Sequence, residues 1–270
     1  MEDVLKRNNV TAKGKGETPI LFAHGYGCDQ NMWRFVTPAF EENYKIILLD
    51  QMGFGKSDVS AYTAQKYDSL QAYADDILEV ANALNIKDII FVGHSVSAIV
   101  GVLAAITAPH LFQKLILIAP SPRYINDTDY SGGFAQEDIN NLLESLDSDY
   151  LAWSVAMAPV IMGNAEKPEW SEELAASFCR SNEEIARNFA RLTFLSDNRA
   201  DLKKLQVPSL ILQCQNDVIA PLEVGNYMKQ SIANSNLVIL NATGHCPNLS
   251  APEETIEAIK NFLSTEKVLY

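Results

Sequence analysis

The sequence predicts an α/β fold: a mostly parallel, twisted sheet flanked by helices, with a four-helix cap inserted into it. Three observations carry this. Continuous apolar runs alternate with helix-like stretches over about the first 120 residues. Four amphipathic stripes with no strand-like run follow, between about Pro122 and Asn198, and then the alternation resumes. Apolar runs without polar alternation mark strands buried on both faces of a parallel sheet, and strand–helix alternation marks an open sheet covered on both sides.

In chain order, residues 19–23 (PILFA), 45–49 (KIILL), 89–92 (IIFV) and 115–119 (LILIA) read as strands. Between the second and third, Tyr73, Ile77, Val80 and Leu84 recur at helical spacing, with Asp75, Asp76 and Glu79 on the other faces. The run after Ser95 (VSAIVGVLAAI) is small and apolar, as suits a helix packed under a sheet. The cap stripes are Ile139, Leu142, Leu143 and Leu146; then Tyr150, Trp153, Met157 and Val160; then Trp170, Leu174 and Phe178. A capping box of Ser181 and Glu184 precedes the fourth, Ile185, Phe189 and Leu192. Residues 1–122 and 198–270 thus form the core and 123–197 the cap, with boundaries good to about four residues. Residues 209–213 (SLILQ) and 237–240 (LVIL) resume the strands, and a helix over 252–263 closes the chain with Ile256, Ile259 and Phe262 inward.

Composition narrows the partners. A chain of 270 residues that is 47% hydrophobic can bury a large core. Its net charge of -13 repels phosphate backbones and anionic lipid heads, so neither nucleic acid nor a membrane surface is expected as a partner. The N-terminal MEDVLKRNNV has no apolar core of a secretory signal, and the strongly apolar stretch 96–106 is too short to span a bilayer. Cys28, Cys179, Cys214 and Cys246 are widely spaced with no CxxC pair, which fits reduced thiols and a cytoplasmic location. None of His24, His94, His110 and His245 stands in a zinc-ligand spacing, so no metal is expected.

The chemistry centres on Gly93-His94-Ser95-Val96-Ser97, between an apolar strand and a small-residue helix. That is the context of a nucleophile elbow, in which a sharp turn lifts a serine hydroxyl above the sheet's end. The usual last glycine is Ser97 here, and such a string alone is common. Its partners make it specific. In such elbow-bearing sheets an acid and then a histidine follow the serine in chain order. Asp217 stands just past SLILQ, and His245 just past LVIL, after a turn-permitting Gly244. Ser95, Asp217 and His245 are therefore the candidate catalytic triad. Two N–H groups must hold the oxyanion: that of Val96, after the nucleophile, and that of Tyr26 in the loop His24-Gly25-Tyr26-Gly27. His24 and His94 read as structural hydrogen bonders, since His245 takes the acid–base role. Cys246 reads as a wall residue, and the glycine-rich loop 50–58 (DQMGFGKSD), lacking a third glycine and a following helix, as structural.

The pieces HGYGCDQNMW, DQMGFGKSD and GHSVSAIVG, the cap and the late Asp217 and His245 resemble the α/β-hydrolase superfamily over nearly the whole chain. More narrowly, HGYGCDQ, GHSVSAIVG, SPRYINDTDYSGGF and LSDNRADL are similar to the RsbQ-type bacterial hydrolases and to plant strigolactone and karrikin receptors, whose elbow also departs as Ser97 does. The resemblance implies an α/β-hydrolase fold with a V-shaped cap over a closed apolar pocket. The matching wall positions are Tyr26, Tyr124, Phe134, Trp153, Met157, Phe189, Phe194 and Ile219. The expected activity is hydrolysis of a small hydrophobic ester or lactone through an acyl intermediate on Ser95, with no cofactor. The alternative is a slow-hydrolysing receptor that signals through a regulatory protein partner.

Overall fold

A computed structural model describes residues 3–264. Seven strands form one sheet in the order β1-β3-β2-β4-β5-β6-β7. They are β1 (Thr11–Lys13), β2 (Pro19–Ala23), β3 (Lys45–Leu49), β4 (Ile89–His94), β5 (Phe112–Ile118), β6 (Ser209–Asn216) and β7 (Ser235–Thr243). All neighbours pair in parallel except β1, which runs antiparallel to β3. β2 and β4 are buried at every residue, as their unbroken apolar sequences require. β1 escapes the sequence reading because it is a three-residue edge strand, exposed throughout, with no apolar pattern. The last strand is longer than its apolar run, since an edge strand tolerates polar residues on its open side.

The helices are α1 (Val4–Arg7), α2 (Leu70–Ala83), α3 (Val96–Thr107), α4 (Gln136–Ser148), α5 (Tyr150–Met162), α6 (Pro168–Arg180), α7 (Glu183–Phe194), α8 (Arg199–Leu202), α9 (Leu222–Ser231), α10 (Pro247–Ser250) and α11 (Pro252–Ser264). α4 to α7 lie between β5 and β6 in the chain; α5 packs along α6, and α4 touches both α5 and α7. Among the described residues no helix is long and apolar enough to cross a membrane.

Three expectations are corrected. Asp76 is buried, not on a solvent face. Arg7 donates to it at 2.7 Å and the Tyr67 hydroxyl at 2.8 Å, tying α1 to α2. Burial pushes its carboxyl up, against the opposing pull of Arg7. The N-cap of α7 is Asn182, whose Oδ1 accepts from Ile185 N–H at 3.1 Å, because Ser181 turns its hydroxyl back to the Ser177 carbonyl. Val160, on the second cap stripe, faces solvent, because α5 is apolar nearly all round and its periodicity cannot say which side is covered.

Candidate active site

The site gathers at the carboxyl ends of β4, β6 and β7. The chain reverses from β4 into α3 through Ser95, which holds φ +56° and ψ −126°, a conformation that non-glycine residues rarely adopt. The turn is held by Ser95 N–H, which donates to the Ile118 carbonyl at 2.8 Å. Ser97 is more than a stand-in for glycine. Fully buried, it donates to the His24 carbonyl and accepts from Gln51 Nε2 at 3.0 Å, lashing the elbow to the loop that carries Tyr26. Gln51 has no motif to announce it; only its place just after β3 hints at a role.

Asp217 follows β6. One carboxylate oxygen accepts from Ile219 N–H at 2.8 Å and Ala220 N–H at 3.1 Å, which aims the other at His245 Nδ1, 2.8 Å away. His245 Nε2 in turn lies 2.8 Å from Ser95 Oγ. With Asp217 accepting, Nδ1 carries the proton and Nε2 is left to accept from the serine. The histidine reaches this position because Gly244 turns at φ +88°; a Cβ there would lie 1.8 Å from the Met162 carbonyl oxygen. The His245 N–H then donates to the Ile161 carbonyl at 2.8 Å.

His94 supports the same histidine from behind. Its Nε2–H donates to the His245 carbonyl at 2.7 Å, and its Nδ1 has no partner among the described residues. Burial, reinforced by neighbouring His245, pushes its pKa down to about 3, so it stays a neutral donor. Gly25 makes room for this ring: a Cβ there would lie 2.5 Å from Nδ1. His24 is also buried, which lowers its pKa; its Nδ1–H donates to the Gly25 carbonyl at 2.8 Å and its Nε2 accepts from Gln51 N–H at 2.9 Å. Among the described residues, neither the Tyr26 nor the Val96 N–H donates to another group of the chain. Val96 also opens α3, whose N-terminal end favours negative charge.

Ser95 and His245 border a largely apolar cavity. Of the expected wall positions, Tyr26, Tyr124, Trp153, Met157, Phe194 and Ile219 line it. Phe134 and Phe189 do not. Phe189 lies one layer deeper, stacked on Tyr26 and 4.3 Å from the Tyr73 ring, and Phe134 bridges to Ile125 in the segment before α4. Cys28, Ile161, Leu174, Phe178 and Thr193 complete the wall unannounced, beside Cys246. Ile161 carried a signal, being four residues beyond Met157 and eight beyond Trp153 on one helix. Burial pushes the Cys28 thiol up to about 12 and raises that of Cys246, which leaves both thiols protonated. Burial likewise raises the Tyr124 phenol, opposed by its interaction with the Ser95 hydroxyl.

The chain is 35% identical over 257 residues to the Karrikin insensitive 2 receptor CA of Petunia hybrida, covering 95% of each. It is 37% identical over 263 residues to the Strigolactone esterase RMS3 of Pisum sativum, covering 97% of this chain and 98% of that one. Among solved structures, a hydrolase from Oleispira antarctica superposes with a TM-score of 0.95 at 38% identity, covering 98% of this chain and 97% of that one. Residues 20–258 match the family model described as Alpha/beta hydrolase family, and the chain belongs to that family.

Proposed function

We propose that this chain cleaves a small hydrophobic ester or lactone through an acyl-enzyme on Ser95. The observation that carries the reading is the unbroken relay from Ser95 Oγ to His245 to Asp217, 2.8 Å at each step, at the floor of an apolar cavity. His245 Nε2 takes the hydroxyl proton as Oγ attacks the carbonyl carbon. Asp217 holds the imidazole and stabilises its charged form. The N–H groups of Tyr26 and Val96 hold the oxyanion; one such donor is typically worth about 10²–10³ in turnover. His245 then returns the proton to the leaving alkoxide. In the second half, water attacks the acyl carbon as His245 takes its proton, and His245 returns that proton to Ser95 Oγ as the acyl–oxygen bond breaks and the acid leaves. In this reading residues 123–197 cap the site and exclude bulk water, and no cofactor takes part.

A second reading has support of its own, since the petunia relative is named a receptor while the pea relative is named an esterase. In it, hydrolysis is slow and the output is contact with a regulatory protein. Intact-protein mass spectrometry over time, with an activated aryl ester and separately a butenolide lactone, separates the two. A transient adduct on Ser95 with steady turnover supports the hydrolase. A persistent adduct with one equivalent of product supports the receptor. No adduct and no product with either overturns the Ser95 assignment.

A further inference from the structure

The acid of the triad is carried on a loop, and one buried side chain holds that loop. Gln213 lies in β6 after Leu210, Ile211 and Leu212 and before Cys214, all apolar and buried. It is fully buried itself, and its Oε1 has no partner among the described residues. An unmet buried acceptor costs stability, and an apolar side chain of similar length would avoid that cost. A glutamine at this place is therefore accounted for by its other end.

That end is Nε2, which donates to the Ala220 carbonyl. Reversing the amide would set oxygen against oxygen, so the donor is what the site requires. Ala220 is fully buried, and the peptide bond after it leads into Pro221, which has no N–H. The N–H of the same Ala220 is one of the two that aim Asp217, 3.1 Å from its Oδ1. Ala220 is thus pinned at both polar groups, to β6 through its carbonyl and to the acid through its N–H. α9 leaves room for this. Its buried face is Val224, Gly225 and Met228, and a Cβ on Gly225 would lie 3.2 Å from Gln213 Cγ and 3.3 Å from its Oε1. Ile239, in register with Gln213 on β7, is uncharged as well.

We propose that Gln213 is a positioning residue of the reaction: by holding the Ala220 carbonyl, it keeps the loop 217–220 wound so that Asp217 faces His245 Nδ1. This deepens the acyl-transfer reading and rests on it. Loss of the donor leaves a buried carbonyl unpaired, and the loop shifts to pair it, drawing the Ala220 N–H off Asp217. The carboxylate then turns from His245, and a displaced orienting group costs rate rather than substrate binding.

Two variants isolate the donor. Gln213→Met keeps the length and removes it. Gln213→Glu keeps it only while the carboxyl is protonated, which burial and the nearby Asp217 carboxylate favour at neutral pH. Both are compared with wild type for hydrolysis of an activated aryl acetate from about pH 6 to 9, for melting temperature, and by NMR for the low-field proton on His245 Nδ1, assigned by its loss in His245→Gln. The expected result for Gln213→Met is about tenfold lower kcat at unchanged KM, with that resonance moved. Gln213→Glu should match wild type near neutral pH and fall to the level of Gln213→Met as pH rises, on an ionisation that wild type lacks. A Gln213→Met that melts lower but keeps wild-type kcat and resonance makes the bond structural only and overturns the proposal. So does a Gln213→Glu that follows Gln213→Met at every pH. Should Gln213→Met fail to fold, the alkaline loss in Gln213→Glu decides: its presence supports the proposal and its absence overturns it. If wild type forms no adduct and releases no product, the hydrolase reading fails by itself. The resonance then decides for Gln213: moved in Gln213→Met, it supports the positioning role; unmoved, it overturns it.

Discussion

The strand ends and the aromatic wall of the cavity beside them are held by different forces. At the strand ends, hydrogen bonds and backbone geometry set every position that matters. Ser95 sits at φ +56°, Asp217 is aimed by two backbone N–H groups, and His245 hangs between the Ile161 carbonyl and the His94 ring. Above them, the cavity is shaped by side-chain packing. Tyr26 meets Phe54, Trp153 and Phe178 edge-on and stacks on Phe189, with ring centroids 5.6 to 6.2 Å apart. Directional bonds suit chemistry, where a small displacement costs rate. Packing suits a binding wall, where volume can be redistributed among neighbours at modest cost.

Substitutions should obey this division, and the largest effect belongs to Ser95. Ser95→Ala should lower turnover by about 10⁴-fold or more while keeping the fold. Loss of the covalent adduct with an unchanged melting temperature is the expected result; unfolding would mean that Ser95 is chiefly structural. Gly244→Ala comes next. Its Cβ has no space beside the Met162 carbonyl, so we expect about 2 kcal/mol or more of lost stability and about 10²-fold lower kcat, read by denaturant titration and steady-state kinetics. Trp153→Ala tests the wall: KM for a bulky apolar ester should rise about tenfold, with turnover of an acetyl ester little changed. Equal loss on both substrates would erase the distinction between the two regions.

His94 probes the boundary between them. His94→Leu removes the donor to the His245 carbonyl and should cost several-fold to about tenfold in kcat at constant KM, with His94→Gln recovering most of it. The smallest effect is a stability slope with pH. Because His94 is held near pKa 3 when folded, the unfolded chain binds a proton that the folded one refuses below about pH 6.5. Its contribution is therefore complete above pH 6.5 and is lost as pH falls, by up to about 1.4 kcal/mol per pH unit. His24, also lowered by burial, adds to the same trend. Melting curves between pH 7 and pH 5 should show a shallower acid loss in His94→Gln than in wild type.

The division also explains what could be read from the chain alone. Unbroken apolar runs announce buried parallel strands, and Ser95, Asp217 and His245 stand out because each lies within five residues past the end of one such run. Local backbone chemistry, a glycine before the histidine and small residues after the serine, is written at the positions it serves. Periodicity likewise marks four helices between β5 and β6. It does not say which residues on them meet a cavity and which meet core. Phe189 and Phe178 share aromatic character and helical phase, yet Phe178 lines the cavity and Phe189 lies behind Tyr26. Nor does it reveal that Asp76 is buried by Arg7, 69 residues away, or that Ser97 is bound to Gln51. Burial and partnership between distant residues depend on how elements dock, and docking is a property of whole surfaces. The sequence by itself thus announced six of the seven strands and the candidate triad of Ser95, Asp217 and His245. Only the tertiary structure decided the cavity wall and the support of His245 by His94 and Ile161, because each arises where segments far apart in the chain meet.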